Sequence, residues 1–224
     1  MRHLWTRKLP MLQRELEGSG STVWIDALRQ GVDAGVRVVP VVDPAHVAKS
    51  GHVIARLLEK QLRVRSRYIK SPAGASNVSA GTIIFVDDFL GGGTQFANLF
   101  ARSQLLQLPN KVRLIYAPLV AYEEAVARMR QVMPRLHIVP AESLDATHRV
   151  LTTASSAFAD GVNTASGAHD FYYGMIDRYG LRAMPPIDNI PHLGVTYAFE
   201  HAAPNNSLEI LWQASKGWTP LFDR

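Results

Sequence analysis

Apolar positions along the chain follow two spacings in turn. The β-branched run "VRVVPVV" (36–42) predicts a strand, and "DPAHVAKSG" follows it as a loop. "HVIARLLEKQL" (52–62) sets apolar residues at 53, 54, 57, 58 and 62, the spacing of a helix with one buried face. "TIIFV" (82–86) is a short continuous apolar run, the pattern of a parallel strand covered on both faces, and "TQFANLFARSQLL" predicts the helix after it. "KVRLIYAPLV" predicts a third strand. "EEAVARMRQVM" predicts a helix with acids in its first turn, arginines later and Pro134 just beyond, and "RLHIVPA" predicts another strand. Between the first helix and "TIIFV", the segment "RVRSRYI" reads as a strand and "KSPAGASNVSAG" as a mobile loop. The alternation predicts an α/β fold, a parallel twisted sheet flanked by helices, with right-handed crossovers placing helices on both faces.

The flanks are less regular. Residues 1–35 read as a polar helical segment with a flexible "EGSGS" at 17–21. Beyond the core at 36–142, the pattern loosens into a C-terminal extension, 143–224. There "DATHRVLTTASSAFADGVN" and "HDFYYGMIDRYGL" read as helical and "LGVTYAFEH" as a strand. No internal repeat is present.

Composition narrows the classes. Hydrophobic residues make up 47% and charged residues 19% of 224, ordinary for a globular protein. No apolar run approaches the ~18 residues of a membrane span, and the first residues lack an apolar signal-peptide core. We therefore expect a cytoplasmic protein with no membrane association. With no cysteine, disulfides, thiolate metal sites and thiol nucleophiles are excluded. Charge is uneven: residues 1–70 carry 13 Lys+Arg against 6 Asp+Glu, and the remainder is slightly acidic. A basic first third suits nucleic acid, phosphate-rich ligands or an acidic protein, and equally a plain solvated surface.

The chemistry concentrates in "FVDDFLGGGTQF" (85–96). In open α/β sheets, ligands sit at the carboxyl ends of the strands. A glycine turn into a helix offers backbone amides and a positive dipole end, an anion cradle. Gly91, Gly92 and Gly93 allow close backbone approach to a phosphate, and Thr94 can add a hydroxyl donor. Asp87 and Asp88 accept hydrogen bonds and so suit the vicinal hydroxyls of a ribose, or a divalent cation. A ligand with both a phosphate and a diol, such as a ribose 5-phosphate, matches the set. The duller alternative is a strand-turn-helix corner with solvated acids. A triphosphatase P-loop, a G-x-G-x-x-G dinucleotide turn, H-E-x-x-H, G-x-S-x-G and an EF-hand loop are all absent.

"IIFVDDFLGGGTQF" resembles the signature of the type I phosphoribosyltransferases: a hydrophobic strand, two acids, two variable residues and a short Thr/Gly loop. The resemblance implies that Asp87 and Asp88 contact the ribose hydroxyls of phosphoribosyl pyrophosphate, and that Gly91, Gly92, Gly93, Thr94 and Gln95 bind its 5-phosphate. It also implies Mg2+ with the ligand. The chain departs from the family by placing glycine at 91 or 92, where a small polar residue is usual, and Gln95 where Thr or Ala is common. By the same order of elements, Lys49, Ser50 and Gly51 occupy the pyrophosphate loop. The other reading of that stretch is a helix start capped by Ser50. Arg65, Arg67 and Lys70 occupy the mobile loop that closes over pyrophosphate, or else form a solvated basic hairpin. The tail "FEHAAPNNSLEILW…WTPLFDR" resembles a bacterial phosphoribosyltransferase-like group linked to anti-phage and other conflict operons. In the wider family a small hood holds the base. Asn205 and Asn206 are candidates to read a base edge, or simply form a turn. Trp212 and Trp218 are candidates for stacking or for core, and His201 for a general base.

The resemblance thus implies transfer of a phosphoribosyl group to an acceptor. The alternative is a non-catalytic sensor of phosphoribosyl pyrophosphate or nucleotide, or a structural partner in a defence complex. Expected partners are that ligand, a nucleic acid or operon-encoded protein, and a second copy of the chain.

Overall fold

The computed structural model describes residues 14, 29–30, 35–42, 50–75, 81–103, 105–158, 160, 162–183, 193–200 and 202–222. The chain divides into two compact units, Met1–Ser143 and Leu144–Arg224. The predicted N-terminal helical segment falls almost wholly outside the described residues.

The first unit is built on a parallel sheet. Strands β1 (Val36–Pro40), β2 (Thr82–Leu90), β3 (Arg113–Tyr122) and β4 (Leu136–Ile138) lie side by side in that order, and a short β5 (Glu142–Leu144) also pairs with β3. The register sets Val38 beside Ile84, Phe85 beside Tyr116 and Tyr116 beside Ile138. On the other edge of β1, Ile69 makes a parallel bridge to Val38, and the Lys70 amide donates to the Val38 carbonyl at 2.8 Å. The chain therefore leaves β1 toward one side, then returns past it to β2 on the other. The sheet reverses its direction of growth between β1 and β2.

Among the described residues, three helices cover this sheet: α1 (Ser50–Leu62), α2 (Thr94–Arg102) and α3 (Glu123–Val132). Right-handed crossovers place α1, which runs toward Ile69, on one face and α2 and α3 on the other. This is why β2 is buried continuously from Thr82 to Asp88 and reads as an unbroken apolar run up to its acids. α1 buries Ile54, Ala55 and Leu58 while His52, Arg56 and Lys60 face outward, as its periodicity predicts. α2 buries Phe96, Leu99 and Phe100. The Phe96 and Phe100 rings sit 5.0 and 6.0 Å from Phe85, and Phe96 stacks on Tyr116 at 4.4 Å.

Two expectations in this unit change. β2 does not stop at Val86 but runs on through both acids to Leu90, because β3 continues beside it, pairing Phe89 with Val120 and Leu90 with Ala121. "RVRSRYI" is not a strand. It is a 3-10 turn at Ser66–Tyr68 followed by the single bridge at Ile69, and Arg63 before it adopts a left-handed φ of 56°. Pro72–Ala75 then forms one helical turn.

The second unit centres on α4 (Ala165–Tyr179). The Thr164 side chain caps it by accepting from the Gly167 amide, and left-handed Gly180 ends it. Its buried face gives Tyr172 and Ile176 to a core with Leu181 and Leu208. The Tyr172 hydroxyl donates to the buried Glu209 carboxylate and accepts from the Glu209 amide at 3.1 Å. The predicted helix at 145–163 is replaced by 3-10 turns at Ala146–His148 and Ser156–Phe158. Here Asp145, Ser155 and Asp160 side chains accept from nearby backbone amides, a local bonding that competes with helix. "LGVTYAFEH" makes isolated bridges at Val195 and Phe199 rather than a continuous strand.

Candidate functional site

The reversal between β1 and β2 marks where an open α/β sheet leaves a crevice at its carboxyl edge. Two chain segments enter it. β1 is extended by Val41, whose amide donates to the Val86 carbonyl at 2.9 Å. α1 then begins at Ser50, and Gly51 is buried against the strand end: a Cβ there would stand 2.2 Å from the Val41 carbonyl oxygen. No side chain larger than hydrogen fits. From the other segment, the Gln95 side-chain amide donates to the same Val41 oxygen at 3.4 Å. The first turns of α1 and α2 thus meet at the tip of β1.

Asp87 and Asp88 lie on β2 just before the α2 turn. Asp87 is 3% exposed and Asp88 8%. The Asp87 carboxyl accepts the Asp88 amide on Oδ1 at 3.0 Å and the Tyr116 hydroxyl on Oδ2 at 3.0 Å. Burial, then the neighbouring Asp88 charge, push the Asp87 carboxyl well above the usual carboxylate range. Burial and the Asp87 carboxylate push the Tyr116 phenol up as well.

The glycine turn is braced from behind. Gly93 takes a left-handed φ of 84°, and a Cβ on it would stand 2.7 Å from Met129 Sδ of α3. The Arg128 guanidinium donates to the Gly92 carbonyl. Gly91 and Gly93 are buried, while Gly92, Thr94 and Gln95 remain partly exposed. Beyond Gly93 the amides of the first turn of α2 point toward the helix's amino end, with the helix dipole behind them.

The remaining candidates are dispersed. Lys49 and His201 lie outside the described residues, as does the Ser50 side chain. Arg65 is exposed and its Nε donates to the Arg29 carbonyl at 3.1 Å. Arg67 donates to the Tyr68 hydroxyl at 3.0 Å and lies over that ring. Ile69, which follows the turn carrying Arg65 and Arg67, bridges Val38 in the middle of β1, and the Lys70 amide comes next, on the Val38 carbonyl. Asn205 and Asn206 are the central residues of a turn closed by the Ser207 amide on the Pro204 carbonyl at 2.9 Å. The two indoles serve the second unit internally, Trp212 donating to the Ser207 carbonyl and Trp218 to the Ile210 carbonyl. An open cavity of about 350 Å³ lined by Arg130, Pro134, Leu136, His137, Ile138 and Val139 lies at the β4 edge, away from the acids.

Sequence reasoning missed Tyr116, Arg128 and Met129. A signal existed for the first. A tyrosine inside a strand buried on both faces must find a partner for its hydroxyl, and the register leads it to Asp87.

Among the described residues, no cluster of three or more His, Cys, Asp or Glu could hold a metal by itself. Nor is any described helix long and apolar enough to cross a membrane. No curated protein matches the chain. Among solved structures, an orotate phosphoribosyltransferase from Aeropyrum pernix aligns with 21% identity over 58% of this chain and 75% of its own, with a TM-score of 0.35. The PRTase-CE family profile matches residues 10–224. The parallel sheet, its acid-bearing central strand and this match over nearly the whole chain place the protein in the phosphoribosyltransferase-like PRTase-CE family.

Proposed function

We propose that the crevice between β1 and β2 binds the ribose 5-phosphate moiety of phosphoribosyl pyrophosphate and transfers it to an acceptor. One observation carries this reading: an acidic pair near the carboxyl end of β2 and a glycine turn into a helix just beyond it stand together where the sheet reverses. The acids suit the sugar hydroxyls, and the amides of the α2 turn suit the 5-phosphate. Pyrophosphate would lie toward the start of α1, at Gly51 and the neighbouring Lys49 and Ser50. Lys70 could reach it, whereas Arg65 and Arg67 would have to leave their present partners.

In such a transfer a nitrogen nucleophile forms the bond to ribose C1 as the C1–O bond breaks. Pyrophosphate leaves with the electron pair, and the nucleophile releases its proton. Positive charge develops on the sugar, so fixed dipoles and carboxylates supply most of the assistance. Two hard oxygen donors fit Mg2+ only if the ligand supplies further oxygens. Asp87 and Asp88 would then hold the ion, whose charge would neutralise the leaving pyrophosphate. Asn205 and Asn206 are proposed to face the base or acceptor. Action in the cytoplasm, within an anti-phage operon, as a homodimer, or beside a nucleic acid or protein partner belongs to the same proposal.

A second reading is favoured by the burial of Asp87 and Asp88, at 3% and 8% exposure. A ligand reaches them only after local opening. A fold kept for assembly would tolerate such closure outright, and one kept for sensing would tolerate slow entry because it need not turn over. Calorimetry with phosphoribosyl pyrophosphate and Mg2+, together with a pyrophosphate-release assay across acceptors, separates the readings. Release that disappears in Asp87→Ala/Asp88→Ala supports transfer. Binding without release supports sensing, and absence of both sinks the site.

A further inference from the structure

Tyr116 belongs to no part of the reading above, yet it touches both ends of the proposed site. It is 1% exposed, on the strand next to the acids. Its hydroxyl donates to Asp87 Oδ2 at 3.0 Å, and the other Asp87 oxygen accepts the Asp88 amide. Its ring stacks on Phe96, the third residue of α2, with centroids 4.4 Å apart and planes 18° from parallel. Phe96 is itself held edge-on by Phe85 at 5.0 Å.

We propose that Tyr116 is a positioning residue that fixes the spacing between the acids and the α2 turn, and thereby makes the site selective for a ribose hydroxyl at a set distance from a 5-phosphate. This rests on the phosphosugar reading and deepens it. The hydroxyl constrains one carboxyl oxygen and the stacked ring constrains the helix start. One rigid phenol thus links the two anchor points. A ligand with a phosphate but no 2-hydroxyl, or a shorter reach between them, would fill only one. The raised Asp87 and Tyr116 pKa values agree with a dry, closed hydrogen bond between them.

The test uses the full chain with ribose 5-phosphate, 2-deoxyribose 5-phosphate and inorganic phosphate as probes, and the affinity ratio of the two sugars as readout. The wild type should prefer the ribose form by about tenfold, near the upper worth of one neutral hydrogen bond. Tyr116→Phe keeps the ring stack and removes only the hydroxyl. It should narrow that preference about threefold or more while leaving phosphate affinity unchanged. In an Asp87→Ala background, Tyr116→Phe should change the ratio no further, since it acts through Asp87. A purely structural role would weaken all three probes together and overturns the inference. So does an unchanged ratio in Tyr116→Phe, or additive effects in the double variant. A wild type without sugar preference sinks the phosphosugar reading itself. Should Tyr116→Phe fold poorly, Tyr116→His retains a ring and a donor and should recover part of the preference. Its failure to do so in a folded protein also counts against the inference.

Discussion

Gly93→Ala tests the braced turn directly. The substitution forces a side chain into φ 84°, a left-handed conformation that costs an L-residue about 1–2 kcal/mol. The new methyl would also stand 2.7 Å from Met129 Sδ and 3.0 Å from its Cγ. Met129 is 1% exposed, so it cannot simply swing away, and overpacking of this kind costs about 1–3 kcal/mol. The sum is about 2–5 kcal/mol. For a chain of this size, that lowers Tm by roughly 4–20 °C. Urea denaturation followed by circular dichroism measures it. Pairing the change with Met129→Ala separates the parts, because removing the thioether relieves the clash but not the dihedral strain. The cycle should show a favourable coupling of about 1–2 kcal/mol. A Gly93→Ala protein within about 0.5 kcal/mol of wild type would refute the claim that this turn requires glycine.

Three further outcomes follow from the same geometry. The folded protein holds the Asp87 proton more tightly than the unfolded chain. Its contribution to stability is therefore fully present below the ordinary value of 3.8 and is lost as pH rises through the raised folded value. Asp87→Asn should flatten that decline, and denaturation at pH 5 and pH 8 compares the two proteins. Phe96→Ala removes a buried ring stacked on Tyr116 and set against Phe85, and should cost about 3–5 kcal/mol in chemical denaturation. Asp145 behaves oppositely to Asp87. Hydrogen bonds from Thr147 and His148 lower its pKa to about 2, so its support for the 3-10 turn holds above 3.8 and fades as pH falls toward 2. Asp145→Ala should abolish the corresponding carboxyl titration by NMR and loosen Ala146–His148.

The parallel sheet was legible because its central strands, β2 and β3, are buried almost end to end and so read as long apolar runs. α1, α2 and α3 were legible because each has a single buried stripe. The acids and the glycine turn stood out for the opposite reason: they interrupt that pattern. What the periodicity did not reveal was where β2 ends. Asp87 and Asp88 look like a terminus in one dimension, and only the neighbouring β3 carries the strand past them. The stretch 145–163 misled because its Asp, Ser and Thr side chains bond their own backbone, which spacing alone does not register. "RVRSRYI" alternates like a strand, yet among the described residues it meets the edge of β1 in a single bridge, at Ile69. Tyr116 was visible as a residue but not as a partner, since its role depends on the register of β2 against β3.

β3 is paired along its length with β2, and on its other side with β4 and β5. Strands enclosed in this way release their amide protons to solvent only through the largest unfolding events, whereas loops and helix ends exchange through small ones. β2 is registered to β3 from Thr82 to Leu90, so both acids ride on the part of the molecule slowest to breathe. A small molecule that reaches the carboxylates must therefore meet them on a strand that stays paired.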